Sequence, residues 1–194
     1  MTPLQASPVG TLAPLTTATD QEPIAVAIDP DGGTNATGLA VVTTLDISTT
    51  PAEGALDQVD LSLAIPAKDS VATTSIGSIP TGIIYDPAAG LFYATESDSN
   101  SFISYNPTTG GTPSTIQVGI NPYSVASNFQ TSSILTVNAD SNTISIIDSQ
   151  TFQTKATLGI GSASLFSAAI EPFSNLAVIA DESNNRVLLF PVPH

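Results

Sequence analysis

The chain has 194 residues, 41% of them hydrophobic, which is enough for one ordinary domain with a substantial core. Three cations, Lys68, Lys155 and Arg186, stand against 17 acidic residues, and the net charge of -14 argues against nucleic acid or anionic membrane as a partner. Cysteine is absent, which excludes disulfides, a thiolate nucleophile and cysteine-ligated metal sites.

The N-terminal segment MTPLQASPVG lacks the basic and apolar regions of a signal peptide, and no apolar run reaches the length of a membrane span. We therefore expect no membrane insertion. Within this segment TPLQASPVG resembles two later segments, TPSTIQVG and TKATLGIG. Residues 1–10 are accordingly a candidate closing or swapped strand.

The next predicted strands lie in residues 21–76. EPIAVAIDPDG begins this region, and TGLAVVTT and VDLSLAIP supply the two strands after it. Residues 45–58, which include DISTTPAEGALD, are predicted to form a long loop between those two strands. Long loops on a rigid scaffold often bind a partner or ligand, although insertions in surface hairpins are also tolerated at little free-energy cost.

A repeat of 42 residues follows this region. Residues 77–118 and 119–160 align without a gap, so that Gly77, Gly119 and Gly161 recur at a fixed interval. Other equivalent pairs are Pro80 and Pro122, Tyr93 and Leu135, and Asn100 and Asn142. A period of this length is typical of propeller blades or solenoid units.

A shorter copy occupies residues 161–194, with one residue inserted early, so that Glu171 matches Asp86. It ends one strand short of the two copies before it. EPIAVAIDPDG also matches IPTGIIYDPAAG at 79–90, which makes residues 21–76 a divergent first copy. The chain therefore contains about four copies of one unit.

Each copy predicts strands rather than helices. In residues 77–118 the runs TGIIYD, LFYATE, SFISYN and STIQVG are separated by PAAG, SDSN and PTTGGTP, which supply tight turns. Short connections force consecutive strands to pair antiparallel, giving a four-stranded meander per copy. Such sheets bury their apolar faces by stacking, and radial stacking predicts an all-β, single-domain β-propeller of about four blades over residues 1–194.

The motifs inside the repeat resemble those of YVTN/NHL-type β-propeller proteins. They are P-x-x-[VI]-x-x-[DN]-P, then LFYAT or LAVIA, and a closing ATLGIG. The resemblance covers residues 21–194 and implies the propeller architecture. Some propellers of this kind are calcium-dependent lactonases or related hydrolases, and members usually have six or seven blades. An alternative is therefore that the 194 residues are a piece of a larger propeller.

The ends of the chain allow two arrangements, because the last copy lacks an outer strand that residues 1–10 can supply. That strand either closes the ring of its own chain or pairs with a neighbouring molecule, making a closed dimer or an open polymer. Small residues on the predicted inner strands, among them Ala25, Ala27 and Ala168, suit a narrow four-bladed axis and favour closure within one chain.

Candidates for catalysis are few. The only histidine is the terminal His194, where chains usually fray, so we identify no catalytic residue. Asp29, Asp31 and Asn35 resemble part of a calcium loop, but Pro30 interrupts it and the bidentate glutamate is missing. Turn formation is the simpler explanation of these residues.

Oxygen-rich hairpins recur at equivalent positions of the repeat, so they are expected on one face of the propeller. A ring of their oxygens could hold a cation such as calcium, whereas local hydrogen bonds of the turns explain the same residues without a metal. Arg186 is predicted as an exposed side chain at the start of a third strand. The hairpin residues are Glu96, Asp98 and Asn100; Asp140 and Asn142; and Asp181, Glu182, Asn184 and Asn185.

The sequence therefore favours a non-enzymatic structural or interaction module without a cofactor. We expect a protein partner or self-association through the N-terminal strand or the 45–58 loop. A surface rich in serine and threonine and poor in lysine is typical of extracellular or cell-surface proteins. The alternative, implied by the family resemblance, is a calcium-dependent lactonase-like hydrolase or a ligand-binding propeller.

Overall fold

The computed structural model describes residues 21–30, 38–61, 71–77, 79–161 and 164–193. Regular structure in these ranges consists of β-strands alone, and none of the described residues forms a helix that could cross a membrane. The predicted all-β class is confirmed. The described strands pair into four antiparallel sheets that follow one another along the chain.

Sheet 1 contains β1 (Gln21–Asp29), β2 (Leu39–Asp46), β3 (Glu53–Asp60) and β4 (Val71–Ser75). Sheet 2 contains β5 (Pro80–Asp86), β6 (Leu91–Glu96), β7 (Ser101–Tyr105) and β8 (Ser114–Gln117). Sheet 3 contains β9 (Pro122–Asn128), β10 (Ser133–Asn138), β11 (Thr143–Asp148) and β12 (Gln153–Gly159). Sheet 4, within the described residues, contains β13 (Leu165–Glu171), β14 (Leu176–Asp181) and β15 (Arg186–Pro191).

Side-chain oxygens fix the hairpins that connect these strands. Asp86 ends β5, and its Oδ1 accepts the backbone N–H groups of Ala88 and Ala89 at 2.8 and 3.2 Å. Asp148 ends β11 and holds the N–H groups of Gln150 and Thr151 in the same way, both at 2.9 Å. These carboxylates satisfy donors that the strand ladders leave unpaired, so each meander turns back within a few residues.

The first strand of each sheet is the innermost one. β1 packs beside β5, β5 beside β9, and β9 beside β13, so the four sheets radiate from a common axis. Three apolar clusters fill the spaces between consecutive sheets. Among the described residues no comparable packing joins β13 to β1. The fold is consistent with a β-propeller of about four blades, and closure of the ring is not shown.

A bulge lies near the start of each inner strand, where the register shifts relative to the second strand. The extra residue is Ile24 in β1, Tyr123 in β9 and Phe166 in β13. Bulges re-aim side chains and end regular pairing. Here the same irregularity recurs in each blade, and in sheets 1, 3 and 4 it brings a large side chain to the inner rim.

The predicted loop at 45–58 is wrong in extent. β2 continues to Asp46, which pairs with Glu53, so the turn covers only residues 47–52. The third strand is β3 rather than VDLSLAIP. Leu56 is fully buried between sheets 1 and 2, and the Asp57 carboxylate accepts hydrogen bonds from the hydroxyls of Thr44 and Thr73. Burial and these bonds hold EGALDQVD extended although few of its residues favour strands.

Candidate functional site

Each sheet has two sides, which we name by the neighbour they face. The leading side faces the next sheet along the chain, and the trailing side faces the preceding sheet. Between sheets 3 and 4 the leading side of sheet 3 contributes Leu135, Val137, Ile144 and Ile146, all fully buried. The trailing side of sheet 4 packs onto them with Ala177, Ile179, Leu188 and Phe190.

The leading side of sheet 4 is apolar and exposed. Val187 and Leu189 on β15 are 63% and 61% exposed, and Val178 pairs with Leu189 on the neighbouring strand β14. Phe166, the bulged residue of β13, adds a ring that is 53% exposed. These four residues form a continuous apolar surface where the previous sheets have a buried interface.

The repeat shows how unusual that exposure is. Val178, Ala180, Val187 and Leu189 are equivalent to Leu135, Val137, Ile144 and Ile146 of sheet 3. In sheet 2 the same positions are Tyr93, Thr95, Phe102 and Ser104, of which the first three are fully buried. Sheet 4 therefore carries the residue types of a covered leading side although no described residue packs over it as a further sheet.

The opposite end of the arc exposes a second apolar strip. On β1 the residues Ile24, Val26 and Ile28 are exposed, Val26 by 59%. Val26 is equivalent to Ile83 and Ile28 to Tyr85, both of which belong to the apolar cluster between sheets 1 and 2. The strip therefore lies on the trailing side of sheet 1. The same side of sheet 2 is covered by sheet 1.

A groove of about 490 Å³ opens on the leading side of sheet 4. Its described lining consists of Phe166, Ala180, Asp181, Glu182, Asn185, Arg186 and Val187. One wall is apolar, and the β14–β15 hairpin supplies a polar rim. The groove thus combines an apolar contact surface with a few oriented polar groups.

At that rim Arg186 pairs with Asp181, and Glu182 adds a second carboxylate. Arg186 starts β15, as predicted, and is about half exposed, but its Nε donates to Asp181 Oδ2 at 2.7 Å. Burial opposes ionisation of Asp181, yet the donors Arg186, Asn184, Ser183 and the Ser164 N–H together lower the pKa of this carboxyl well below its ordinary range. Asp181 is therefore an ionised structural group rather than an acid or base near neutral pH.

A second cavity, of about 240 Å³, lies where the four inner strands meet. Tyr123 and Phe166, the bulged residues of β9 and β13, pack there with ring centroids 5.0 Å apart. Tyr123 is the one ionisable side chain in the described lining, which otherwise consists of Ala25, Thr81, Gly82, Ile83, Ser124, Val125, Phe166 and Ser167. The inner strands thus place no carboxylate or histidine at this cavity.

The acidic hairpins have the geometry of tight turns. Asn100, Asn142 and Asn185 occupy equivalent turn positions with φ of 54°, 54° and 48°. Asparagine adopts this left-handed conformation more readily than most residues, which explains the repeat of Asn at these sites. In the part of the chain that the structure describes, no three His, Asp or Glu side chains come together as a potential metal site.

Glu96 has an environment that the sequence pattern does not reveal. It ends β6 with only 4% of its surface exposed, and its Oε2 accepts from the hydroxyls of Ser99 and Ser101. Its Oε1 is buried without a described hydrogen-bond partner beside a cavity of about 100 Å³. Burial raises the pKa of this carboxyl, although the two serine hydroxyls act in the opposite direction.

Several predicted features lie outside the described residues. These are the candidate strand 1–10, the loop residues Asp31 and Asn35, and His194. Asp29 is described and buried at the end of β1. Its position, directly before a turn, is that of Asp86 in sheet 2, as expected for a turn former.

No protein-family model matches the chain, and no curated protein matches it in sequence. Solved structures do match. The chain is similar to hydrazine synthase of Kuenenia stuttgartiensis, at 17% sequence identity and a TM-score of 0.48. The match covers 56% of this chain and 34% of that one, so the chain spans about a third of that protein's length.

Proposed function

We propose that the chain is a non-enzymatic interaction module that binds protein through the exposed sides of its terminal sheets. The observation that carries this proposal is the apolar leading side of sheet 4, formed by Phe166, Val178, Val187 and Leu189. Contiguous exposed apolar surface of this kind marks sites of protein association. An extracellular or cell-surface location belongs to the proposal and rests on the composition of the chain.

The residue types on that side are those of a covered side. Sheet 4 has Val, Ala, Val and Leu at the four positions that sheet 3 buries. Leaving such residues in water is unfavourable, so a partner that covers them gains apolar burial on binding.

The chemistry of two of the cavities, the groove on sheet 4 and the axial cavity, also favours a non-catalytic role. A hydrolase needs a tuned acid or base, a nucleophile or a metal near its substrate. At the groove, the carboxylate of Asp181 is engaged by Arg186 and Asn184. At the axis, the described lining is formed by aliphatic, aromatic and hydroxyl side chains.

Site-specific photocrosslinking tests this function. A benzophenone amino acid at Leu189 in the full chain, produced by its own host cells, should form adducts with protein. The same probe at Thr157, an exposed polar position on the outer strand β12, is the matched control and should form few. Equal adduct yields at both positions, or none at Leu189, would contradict the proposal.

A further inference from the structure

A small polar cavity lies at the junction of sheets 1 and 2. Its volume is about 100 Å³, enough for roughly three water molecules at about 30 Å³ each. Sheet 1 contributes Ser75 and Ile76 to the lining. The described lining from sheet 2 and its last loop is Glu96, Ile103, Thr112, Pro113 and Thr115. Three hydroxyl groups and one carboxylate are thus gathered in a junction that an apolar cluster otherwise fills.

Glu96 places a buried carboxylate at this cavity without a described ion pair. The side chain is 4% exposed, and its Oε2 accepts from the hydroxyls of Ser99 and Ser101. Its Oε1 has no hydrogen-bond partner among the described residues. An ionised group away from water is stable only when it is paired and hydrogen-bonded, so this oxygen is a ligand in need of a partner.

The repeat shows how the same position is balanced in the other sheets. Asp181 is the sheet 4 equivalent of Glu96 and is also buried, but Arg186 Nε lies 2.7 Å from its Oδ2. Arg186 pairs across the hairpin with Asp181 as Ser101 does with Glu96, so sheet 2 has a hydroxyl where sheet 4 has the cation. Sheet 3 has the neutral Asn138 at this position. Glu96 alone of the three is a carboxylate without its counter-charge.

We infer that a monovalent cation binds in this cavity and supplies the missing charge. One carboxylate balances one positive charge, and the hydroxyl oxygens of the lining complete an all-oxygen site. Calcium usually draws on several carboxylates, whereas no three His, Asp or Glu side chains come together within the described ranges. An alkali metal ion and a primary ammonium group share the charge and the preference for oxygen that the site requires.

The bound cation would connect two blades. Ser75 belongs to the outer strand of sheet 1, whereas Glu96 and Thr115 belong to sheet 2, and all three line the same cavity. A cation held there lies among groups from both sheets, and it is bound only when the sheets are packed together. Binding therefore stabilises the folded chain by mass action. The site is separate from the exposed side of sheet 4 and goes beyond the proposed function.

Thermal unfolding of the full chain in matched salts tests the site. Sodium, potassium or methylammonium chloride should raise Tm above its value in tetramethylammonium chloride at the same concentration and neutral pH. Tetramethylammonium carries the same charge, but four methyl groups shield it and it has no N–H to donate. Above Kd, each tenfold rise in the effective cation should raise Tm by roughly 3–6 °C. Equal Tm values in all of these salts would overturn the inference.

Two carboxylate variants assign the effect to the cavity. Glu96→Gln removes the charge and keeps the shape of the side chain, so the rise in Tm should disappear. Asp98→Asn is the matched control, because it removes an exposed carboxylate from the same hairpin, and the rise should remain. Persistence of the rise in Glu96→Gln, or its loss in both variants, would contradict binding at this cavity.

Carbon-13 NMR of the side-chain carboxyl groups locates the cation directly. The Glu96 resonance should shift when the effective salt replaces tetramethylammonium chloride, and the Asp98 resonance should not. A rise in Tm without a shift at Glu96 would place the cation elsewhere and would overturn the inference. The comparison of sodium and potassium with methylammonium then distinguishes an alkali metal site from an amine site. None of these results depends on crosslinking at Leu189, so the proposed function stands or falls separately.

Discussion

Two equivalent positions in consecutive sheets should respond very differently to truncation. Ile144 is fully buried between sheets 3 and 4, whereas its equivalent Val187 is 63% exposed on the free side of sheet 4. Ile144→Ala leaves a cavity and should cost about 2–5 kcal/mol of unfolding free energy. Val187→Ala removes two methyl groups, which contribute about 1.6 kcal/mol to the free energy of unfolding when wholly buried. Because Val187 is mostly exposed, the expected loss is about a third of that value.

Thermal unfolding of both variants at low protein concentration measures this difference. For a chain of this size about 1 kcal/mol shifts Tm by roughly 2–4 °C, so Ile144→Ala should lower Tm by roughly 4–20 °C and Val187→Ala by about 1–2 °C. A large loss for Val187→Ala in the dilute monomer would show that its own chain covers the position, and would refute the open arc.

Three further variants and one change of conditions test other parts of the structure. Burial raises the pKa of Glu96, so ionisation of this carboxyl destabilises the folded chain as pH rises above the ordinary glutamate range. Glu96→Gln should therefore raise Tm more at neutral pH than at pH of about 4. A Cβ at Gly119 would lie 2.6 Å from Asn138 Cγ, so Gly119→Ala should disrupt the buried hydrogen bonds of Asn138 and cost about 1–3 kcal/mol in urea unfolding. Gly161 is the repeat equivalent of Gly119, and a Cβ built there would contact no neighbouring atom. Because Gly161 has φ of 80°, Gly161→Ala should still lower the free energy of unfolding, by only about 1–2 kcal/mol. EDTA should leave Tm unchanged, since the Asp181 oxygens are held by Arg186 and Asn184, and a fall in Tm would instead favour the calcium-dependent alternative.

The sheets were predictable because their signals are local and recur. A turn residue such as Asp86, and an asparagine with positive φ such as Asn100, mark the ends of strands at fixed intervals. Each copy then repeats the same succession of apolar runs and turns. Since the meander depends on these short-range features, strand order and pairing within a sheet follow from the sequence.

The third strand of sheet 1 was not predictable from the same signals. EGALDQVD has few β-branched or aromatic residues and follows Pro51, so its composition suggested a loop. It becomes a strand because Leu56 fills the interface with sheet 2 and because two threonine hydroxyls bind Asp57. These contacts come from neighbouring strands and leave no local pattern.

The exposure of the leading side of sheet 4 also could not be predicted from the sequence, for a different reason. Val187 and Ile144 are similar residues at equivalent positions, and periodicity assigns both to the interior. Only the three-dimensional arrangement reveals that one of them faces a neighbouring sheet and the other does not. The bulges that bring Tyr123 and Phe166 to the inner rim likewise interrupt the alternation by which a strand pattern assigns sides.

A repeat of this kind specifies junctions rather than the number of units. Each sheet presents a leading side shaped for the next trailing side, so any arc of such sheets retains one unmatched side at each end. Covering them requires closure on itself, further sheets or another copy, and the residues at a single junction are compatible with each. The exposure of Val187 in the dilute monomer, which the Tm of Val187→Ala reports, distinguishes closure within one chain from the other two.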